Sequence, residues 1–258
     1  MIIMLTKQNE ADGRGMTALK AHTYWPEEKV TDDATHDDSQ SSLPSVTYGP
    51  YTVSLLSTHT EPDIRVRELT LTHSSDPSTL RHIHHIQYTG WPDFGVPDQH
   101  AQQNGFLRVF TLYRAIRTHL TNQLIEQNNQ SLKNTTNTSK VSSPNNDASS
   151  SSSPSSSVSS PSPSPPSLPF HLSVPPIVVH CSAGIGRSGV WLALDSIIDD
   201  LAELTRRGRL NDATIDVFQL VQSMRQHRQG AVQTKEQYQF IFRFLLLVIQ
   251  KKLFGVGK

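Results

Sequence analysis

The only cysteine of the 258-residue chain, Cys181, stands in "VVHCSAGIGRSG", Val178 to Gly189, where an apolar run ends and a glycine-rich turn begins. Gly184 and Gly186 admit backbone angles that turn successive N–H groups inward. Such a nest at a helix N-terminus holds an anion without any lysine. The Gly-Lys-Ser/Thr ending of a nucleotide-binding loop is absent. The same N–H dipoles, with Arg187 six residues on, favour a thiolate at Cys181. A loop that holds a phosphate-like dianion around a thiolate points to in-line phosphoryl transfer to sulfur. A lone cysteine is more often a small buried hydrophobe. Here the whole run "HCSAGIGRSG" serves one structural task.

The elements around the loop follow from the flanking residues. "PPIVVH" is short, β-branched and bounded by prolines, which predicts a buried strand; "VWLALDSIIDDL" opens a helix. "CSAGIGRS" is then the turn between them. The front half predicts strands, in "MIIMLT", "TYGPYTVSLLSTHT", "IRVRELTLTH" and "RHIHHIQYTGW". Four helical stripes follow. The first is Phe106, Val109, Phe110, Tyr113, Ile116 and Leu120, and the second is Val190, Leu194, Ile197, Leu201 and Leu204. The third is Val217, Leu220, Val221 and Met224, and the fourth is Tyr238, Ile241, Phe242, Leu245, Val248 and Ile249. Thr234 and Gln237 stand at capping-box spacing ahead of the fourth. Strands followed mainly by helices give an α/β (α+β) fold, a central twisted mixed sheet covered by helices. No internal repeat is present.

The middle of the chain changes character. From Val141 to Pro169, 15 Ser and 7 Pro fill 22 of 29 positions, and the residues before it are polar. Such a segment cannot bury enough apolar surface to offset its ordering entropy, so about Thr121 to Ser173 is expected to be disordered. Ser143, Ser153, Ser160, Ser162 and Ser164 each precede proline, a pattern read by proline-directed kinases; a neutral spacer is the alternative.

Lys plus Arg equals Asp plus Glu at 23 each, which offers nothing to nucleic acid or an anionic membrane. The start, "MIIMLTKQNE", is too short for a signal peptide, and Arg243 interrupts the apolar stretch near the end, so no membrane span is expected. One cysteine forms no internal disulfide, in keeping with a reducing compartment, cytoplasmic or nuclear, of which the cytoplasmic is expected. The Asn134 and Asn137 sequons are expected to go unused. His82 and His84 share one strand face and His85 takes the other, without a carboxylate at ligand spacing, so no metal site is assigned.

"VVHCSAGIGRSG" resembles the signature loop of the protein tyrosine phosphatases. "WPDFGVPD", Trp91 to Asp98, resembles that family's mobile acid loop, and "QTKEQYQF", Gln233 to Phe240, its glutamine loop. "ALKAHTYWPEE" and "QSMRQHRQGAVQT" also match, all in the family's order. The resemblance implies hydrolysis of phosphotyrosine in proteins, without cofactor, through a cysteinyl phosphate. Cys181 would be the nucleophile. Backbone N–H groups of Ser182, Ala183, Gly184, Ile185, Gly186 and Arg187 would bind the phosphoryl oxygens, with the Arg187 guanidinium as a planar fork. Ser188 would donate a hydrogen bond to the sulfur, or cap the helix, and His180 would orient the thiolate. Asp93 would be the general acid and later the base for water. Gln233 and Gln237 would position that water. Trp91 would anchor the acid loop and Phe94 would cover the substrate ring. Lys20 would pair with the acid loop, Glu10 would orient Arg187, and Arg225 and Arg228 would support the edge of the site.

The resemblance covers about residues 1–120 and 174–250. It leaves out the family's front portion, whose Lys-Asn-Arg-Tyr loop sets pocket depth, so the chain is expected to be N-terminally incomplete and poorly stable. Two rival readings stay open. One is a weakly active module that captures phosphotyrosyl partners; the other is a dual-specificity phosphatase.

Overall fold

The computed structural model describes residues 1–11, 15–27, 43–92, 95–97, 102–138 and 176–253, with side chains not described at 102–104 and 131–138. Asp93, Phe94 and the whole Ser/Pro run lie outside the described residues. The chain divides into two units, one of Met1–Tyr113 with Ile177–Lys258 and one of Arg114–Pro176.

In the first unit the strands are β1 (Ile2–Met4), β2 (Asn9–Ala11), β3 (Thr17–Leu19), β4 (Ser45–Tyr48), β5 (Tyr51–Thr60), β6 (Ile64–His73), β7 (Asp76–Tyr88) and β8 (Val178–His180). Six form one mixed sheet in the order β4-β5-β6-β7-β1-β8, and β2 and β3 form a separate hairpin. β4 to β7 are antiparallel neighbours, whereas β1 runs parallel to both β7 and β8. A parallel strand covered on both faces reads as a continuous apolar run. β1 fits: Ile3 and Met4, with Leu5 beyond its end, have no exposed surface. Its register sets Met4 between Gln87 and His180, and Leu5 N–H donates to the His180 carbonyl at 2.8 Å. The β1–β8 pair therefore delivers the residue before Cys181 to the C-terminal end of the sheet.

The strand before the signature loop is less buried than its β-branched composition suggests. β8 pairs with β1 on one side and has no second neighbour among the described residues, and Val178 is 56% exposed. An edge position halves the area that packing can cover.

The helices are α1 (Gln102–Thr138), α2 (Gly186–Arg206), α3 (Val217–His227) and α4 (Lys235–Gln250). Each predicted stripe falls on one of them. Two boundaries differ from expectation. Helical backbone in α1 continues to Thr138, past the expected onset of disorder at Thr121. The sequence holds no proline and, after Gly105, no glycine through that stretch, so helix propagates even with few apolar side chains. α2 begins at Gly186 rather than at Val190, so Gly186, Arg187 and Ser188 belong to its first turn and not to the loop before it.

The core between sheet and helices is built on aromatic edges. Phe106 of α1 lies 5.0 Å from Trp91, 5.7 Å from Trp191 of α2, and 5.4 and 4.8 Å from Phe240 and Phe244 of α4, centroid to centroid. Edge-to-face packing at these distances adds to burial. Phe106 thus joins three helices to Trp91. Phe106→Ala is expected to lower the unfolding free energy by about 3–5 kcal/mol. Urea denaturation followed by tryptophan fluorescence would measure it; a loss below about 1 kcal/mol would show that this cluster does not carry the core.

Candidate active site

Cys181 is buried and follows β8 directly. The backbone then turns through Gly184, at φ 70°, where a β-carbon would be strained. Gly186 is needed for space instead of angle. A β-carbon there would lie 3.0 Å from Gln237 Nε2 and 3.1 Å from Gln233 Oε1. The N-cap residue of α2 is Ile185, which has no side-chain acceptor to offer, so the first-turn N–H groups are left to the loop that carries Cys181.

Burial pushes the Cys181 thiol up, but the Ser188 hydroxyl, the N–H groups of Ser188 and Gly184 and the Arg187 charge outweigh it and hold the thiol below its ordinary value. Ser188 Oγ is buried and no hydrogen bond of ordinary geometry reaches it, so its influence on the sulfur is that of an aimed hydroxyl dipole.

Arg187 is clamped from the far side. Its two terminal nitrogens donate to Glu10 Oε1 at 2.7 Å and Oε2 at 2.6 Å, and the first also donates to the Leu5 carbonyl at 2.9 Å. The two side chains are only 4% and 8% exposed. Glu10 is itself fixed by the Thr6 hydroxyl at 2.9 Å and the Lys7 N–H at 3.2 Å. Burial pushes the Glu10 carboxyl up, yet Arg187 and these two donors outweigh it and hold it below its ordinary value. In the β2–β3 hairpin Glu10 stands opposite Ala18.

His180 is oriented by a chain that the sequence motifs do not announce. Tyr24 Oη lies 2.6 Å from His180 Nε2 and 2.9 Å from His85 Nε2. Arg67 lies 3.2 Å from His85 Nδ1 and donates to Gln87 Oε1 at 3.2 Å. At the other end His180 Nδ1 is 3.1 Å from the Cys181 carbonyl. An arginine only donates and a carbonyl only accepts, so neutral rings fix every proton between them. Arg67 donates to His85 Nδ1, His85 Nε2–H to Tyr24, the Tyr24 hydroxyl to His180 Nε2, and His180 Nδ1–H to the carbonyl. Burial, reinforced by Arg67 and His180, pushes the His85 pKa down to about 3, and burial pushes the Tyr24 phenol up. Both stay neutral at physiological pH. The only sequence signal is a tyrosine after β3 and an arginine and a histidine on the otherwise core-forming strands β6 and β7.

Gln237 is buried inside the capping box. Its Oε1 accepts from the N–H groups of Gln233 at 2.9 Å and Thr234 at 3.3 Å. Both ends of its amide lie against Gly186: a β-carbon there would come 3.0 Å from Nε2 and 3.1 Å from Oε1. A cavity of about 110 Å³ brings Cys181, Ser182, Ala183, Gly186 and Arg187 together with Lys20, Gln233 and Gln237. Arg228 donates to the Ala183 carbonyl at 2.9 Å, and the Ile185 carbonyl accepts from Val232 N–H at 3.0 Å. Trp91 is buried, and its indole donates to the Gly95 carbonyl at 2.9 Å. The expected acid Asp93, the lid Phe94 and any pairing of Lys20 with them fall outside the described residues. His82 is exposed and His84 half-buried. Among the described residues no group of three His, Cys, Asp or Glu could hold a metal ion, and no helix is long and apolar enough to cross a membrane.

The sequence pattern of the family described as Protein-tyrosine phosphatase matches residues 1–132 and 154–247. The chain belongs to the protein-tyrosine phosphatase family. It is similar to human tyrosine-protein phosphatase non-receptor type 9, with 30% identity across 98% of this chain and 31% of that protein. It is 27% identical to human receptor-type tyrosine-protein phosphatase eta, across 97% of this chain and 13% of that one. The chain thus spans a third or less of the length of these two relatives. Its fold is like that of the catalytic domain of human protein tyrosine phosphatase non-receptor type 18, with a TM-score of 0.57 at 20% identity, covering 96% of this chain and 59% of that one.

The low-lying thiol makes a prediction for this phosphatase-family loop. Alkylation of Cys181 by iodoacetate should rise with a midpoint below that of an ordinary thiol, because only the thiolate reacts. Ser188→Ala removes a group that favours the anion, so the midpoint should move up in pH. Rate profiles between pH 4 and 9 would show it; coincident profiles would mean that Ser188 does not act on the sulfur.

Proposed function

We propose that the chain hydrolyses phosphotyrosine in proteins through a cysteinyl-phosphate intermediate. The observation that carries this reading is a buried cysteine whose thiol is held below its ordinary value at the mouth of an uncapped helix, beside an anchored arginine.

In the first half-reaction the Cys181 thiolate attacks phosphorus in line as the bond to the phenolic oxygen breaks, and Asp93 passes its proton to that oxygen. Inward N–H groups from Ser182 to Arg187, with the Arg187 guanidinium, meet the charge on the equatorial oxygens. Glu10 and the Leu5 carbonyl hold that guanidinium beside the loop, so little reorganisation is asked of it. Phe94 covers the substrate ring. In the second half-reaction water forms a bond to phosphorus, the sulfur–phosphorus bond breaks, the thiolate leaves and Asp93 takes the proton from water. Gln233 and Gln237, whose amides both lie against Gly186, position that water. The reading includes a cytoplasmic location, since an unpaired thiolate nucleophile needs a reducing compartment.

Cys181→Ser should abolish turnover of a small aryl phosphate and keep binding of a phosphotyrosyl peptide, because the N–H groups and Arg187 remain. Hydrolysis within tenfold of the parent would remove Cys181 as nucleophile. A parallel assay with phosphoseryl peptides separates tyrosine specificity from dual specificity.

Activity should peak on the acid side of neutrality, since Cys181 must be ionised while Asp93 stays protonated. Asp93→Asn should flatten the alkaline limb and slow turnover of a phosphotyrosyl peptide by about 10²–10⁴. An unchanged rate and profile would end the assignment of Asp93 as the acid.

A further inference from the structure

Val232 has φ 59° and is 1% exposed. The left-handed region is a genuine outlier for a β-branched side chain. Apart from Lys252, just past the end of α4, it is the only non-glycine residue with positive φ among those described. Such a conformation persists only where the surroundings over-determine it. Three contacts do so here. Val232 N–H donates to the Ile185 carbonyl of the signature loop at 3.0 Å. Gly189 of α2 presents a bare Cα, and a β-carbon there would come 2.6 Å from Val232 N. From α3, Arg225 reaches back with Nε to the Ala231 carbonyl and with a terminal nitrogen to the Val232 carbonyl, each at 2.9 Å. The next residue is Gln233, whose amide oxygen lies against Gly186.

We propose that Arg225 is a positioning residue: it clamps Val232 in the left-handed conformation and so aims Gln233 into the signature loop. The inference rests on the phosphatase reading, in which Gln233 positions water for the second half-reaction. A clamp on Gln233 bears on hydrolysis of the cysteinyl phosphate and leaves its formation alone, because among the described residues the hydrogen bonds of the Arg225 side chain go to the Ala231 and Val232 carbonyls.

The test is stopped-flow turnover of a chromogenic aryl phosphate, which reads phenolate release as a burst and hydrolysis as the steady state. Arg225→Met should leave the burst rate within about twofold and lower the steady-state rate about tenfold, so that the burst amplitude appears or grows. Arg225→Lys, which can serve one carbonyl at a time, should fall between and keeps the comparison available if the methionine variant does not fold. The decisive comparison adds Val232→Gly. Glycine adopts the left-handed region without strain, so the clamp becomes dispensable: the double variant should match the Val232→Gly steady state within about twofold. Equal slowing of burst and steady state by Arg225→Met, or additive losses in the double variant, would overturn the inference while leaving the phosphatase reading in place. A parent chain that releases no phenolate at all would overturn both.

Discussion

The ion pair between Arg187 and Glu10 is the constraint on which the rest of the site depends. It joins residues 177 positions apart and is buried on both sides. A buried pair of this kind does not by itself add much stability, but removing one partner leaves a desolvated charge, which costs about 3–5 kcal/mol. The pair therefore fixes where the β2–β3 hairpin must sit once α2 is in place. Thr6 and Lys7 hold the carboxylate, and the Leu5 carbonyl holds the arginine, so the segment leaving β1 is shaped around this one contact. The guanidinium is thereby held at the loop that carries Cys181.

Around that fixed charge the interior is kept neutral. The proton chain from Arg67 through His85 and Tyr24 to His180 begins at a cation and ends at a backbone carbonyl, and its middle members do not titrate near neutrality. A charged imidazolium at His85 would lie near Arg67 in a dry interior. Arg67 also stacks over Trp25, 4.3 Å from its ring, so its charge is balanced by a π face and a glutamine.

The three glycines of the signature loop and α2 answer three different requirements. Gly184 supplies a left-handed turn, Gly186 leaves room for Gln233 and Gln237, and Gly189 lets the backbone of Val232 approach α2. Only the first is a conformational requirement. The other two exist because the glutamine loop folds against the signature loop, and the same docking keeps Val232 in a conformation it would otherwise avoid.

Much of this was legible in the chain itself. Alternation marked β5, β6 and β7, apolar stripes marked α2, α3 and α4, and the Thr234–Gln237 spacing marked a capping box that the structure contains. Cys181, Arg187 and Ser188 stood out because their chemistry is read within a few residues of one another, whereas Gln233 and Gln237 stood out only through the resemblance of "QTKEQYQF" to the family's glutamine loop. The extent of α1 beyond Thr121 is not legible from apolar spacing, because a segment free of proline and glycine propagates helix even with few apolar side chains. What tertiary structure alone decided is everything that depends on strand order. Parallel pairing of β1 with β7 and β8 brings His85, Gln87 and His180 to one end of the sheet, and Tyr24 closes between residues 61 and 156 positions away. Sequence periodicity reports which face of an element is apolar, because that is set by the local repeat of the backbone. It carries no record of which distant face lies opposite, and the edge position of β8, the partner of Glu10 and the strain at Val232 are all set by what lies opposite.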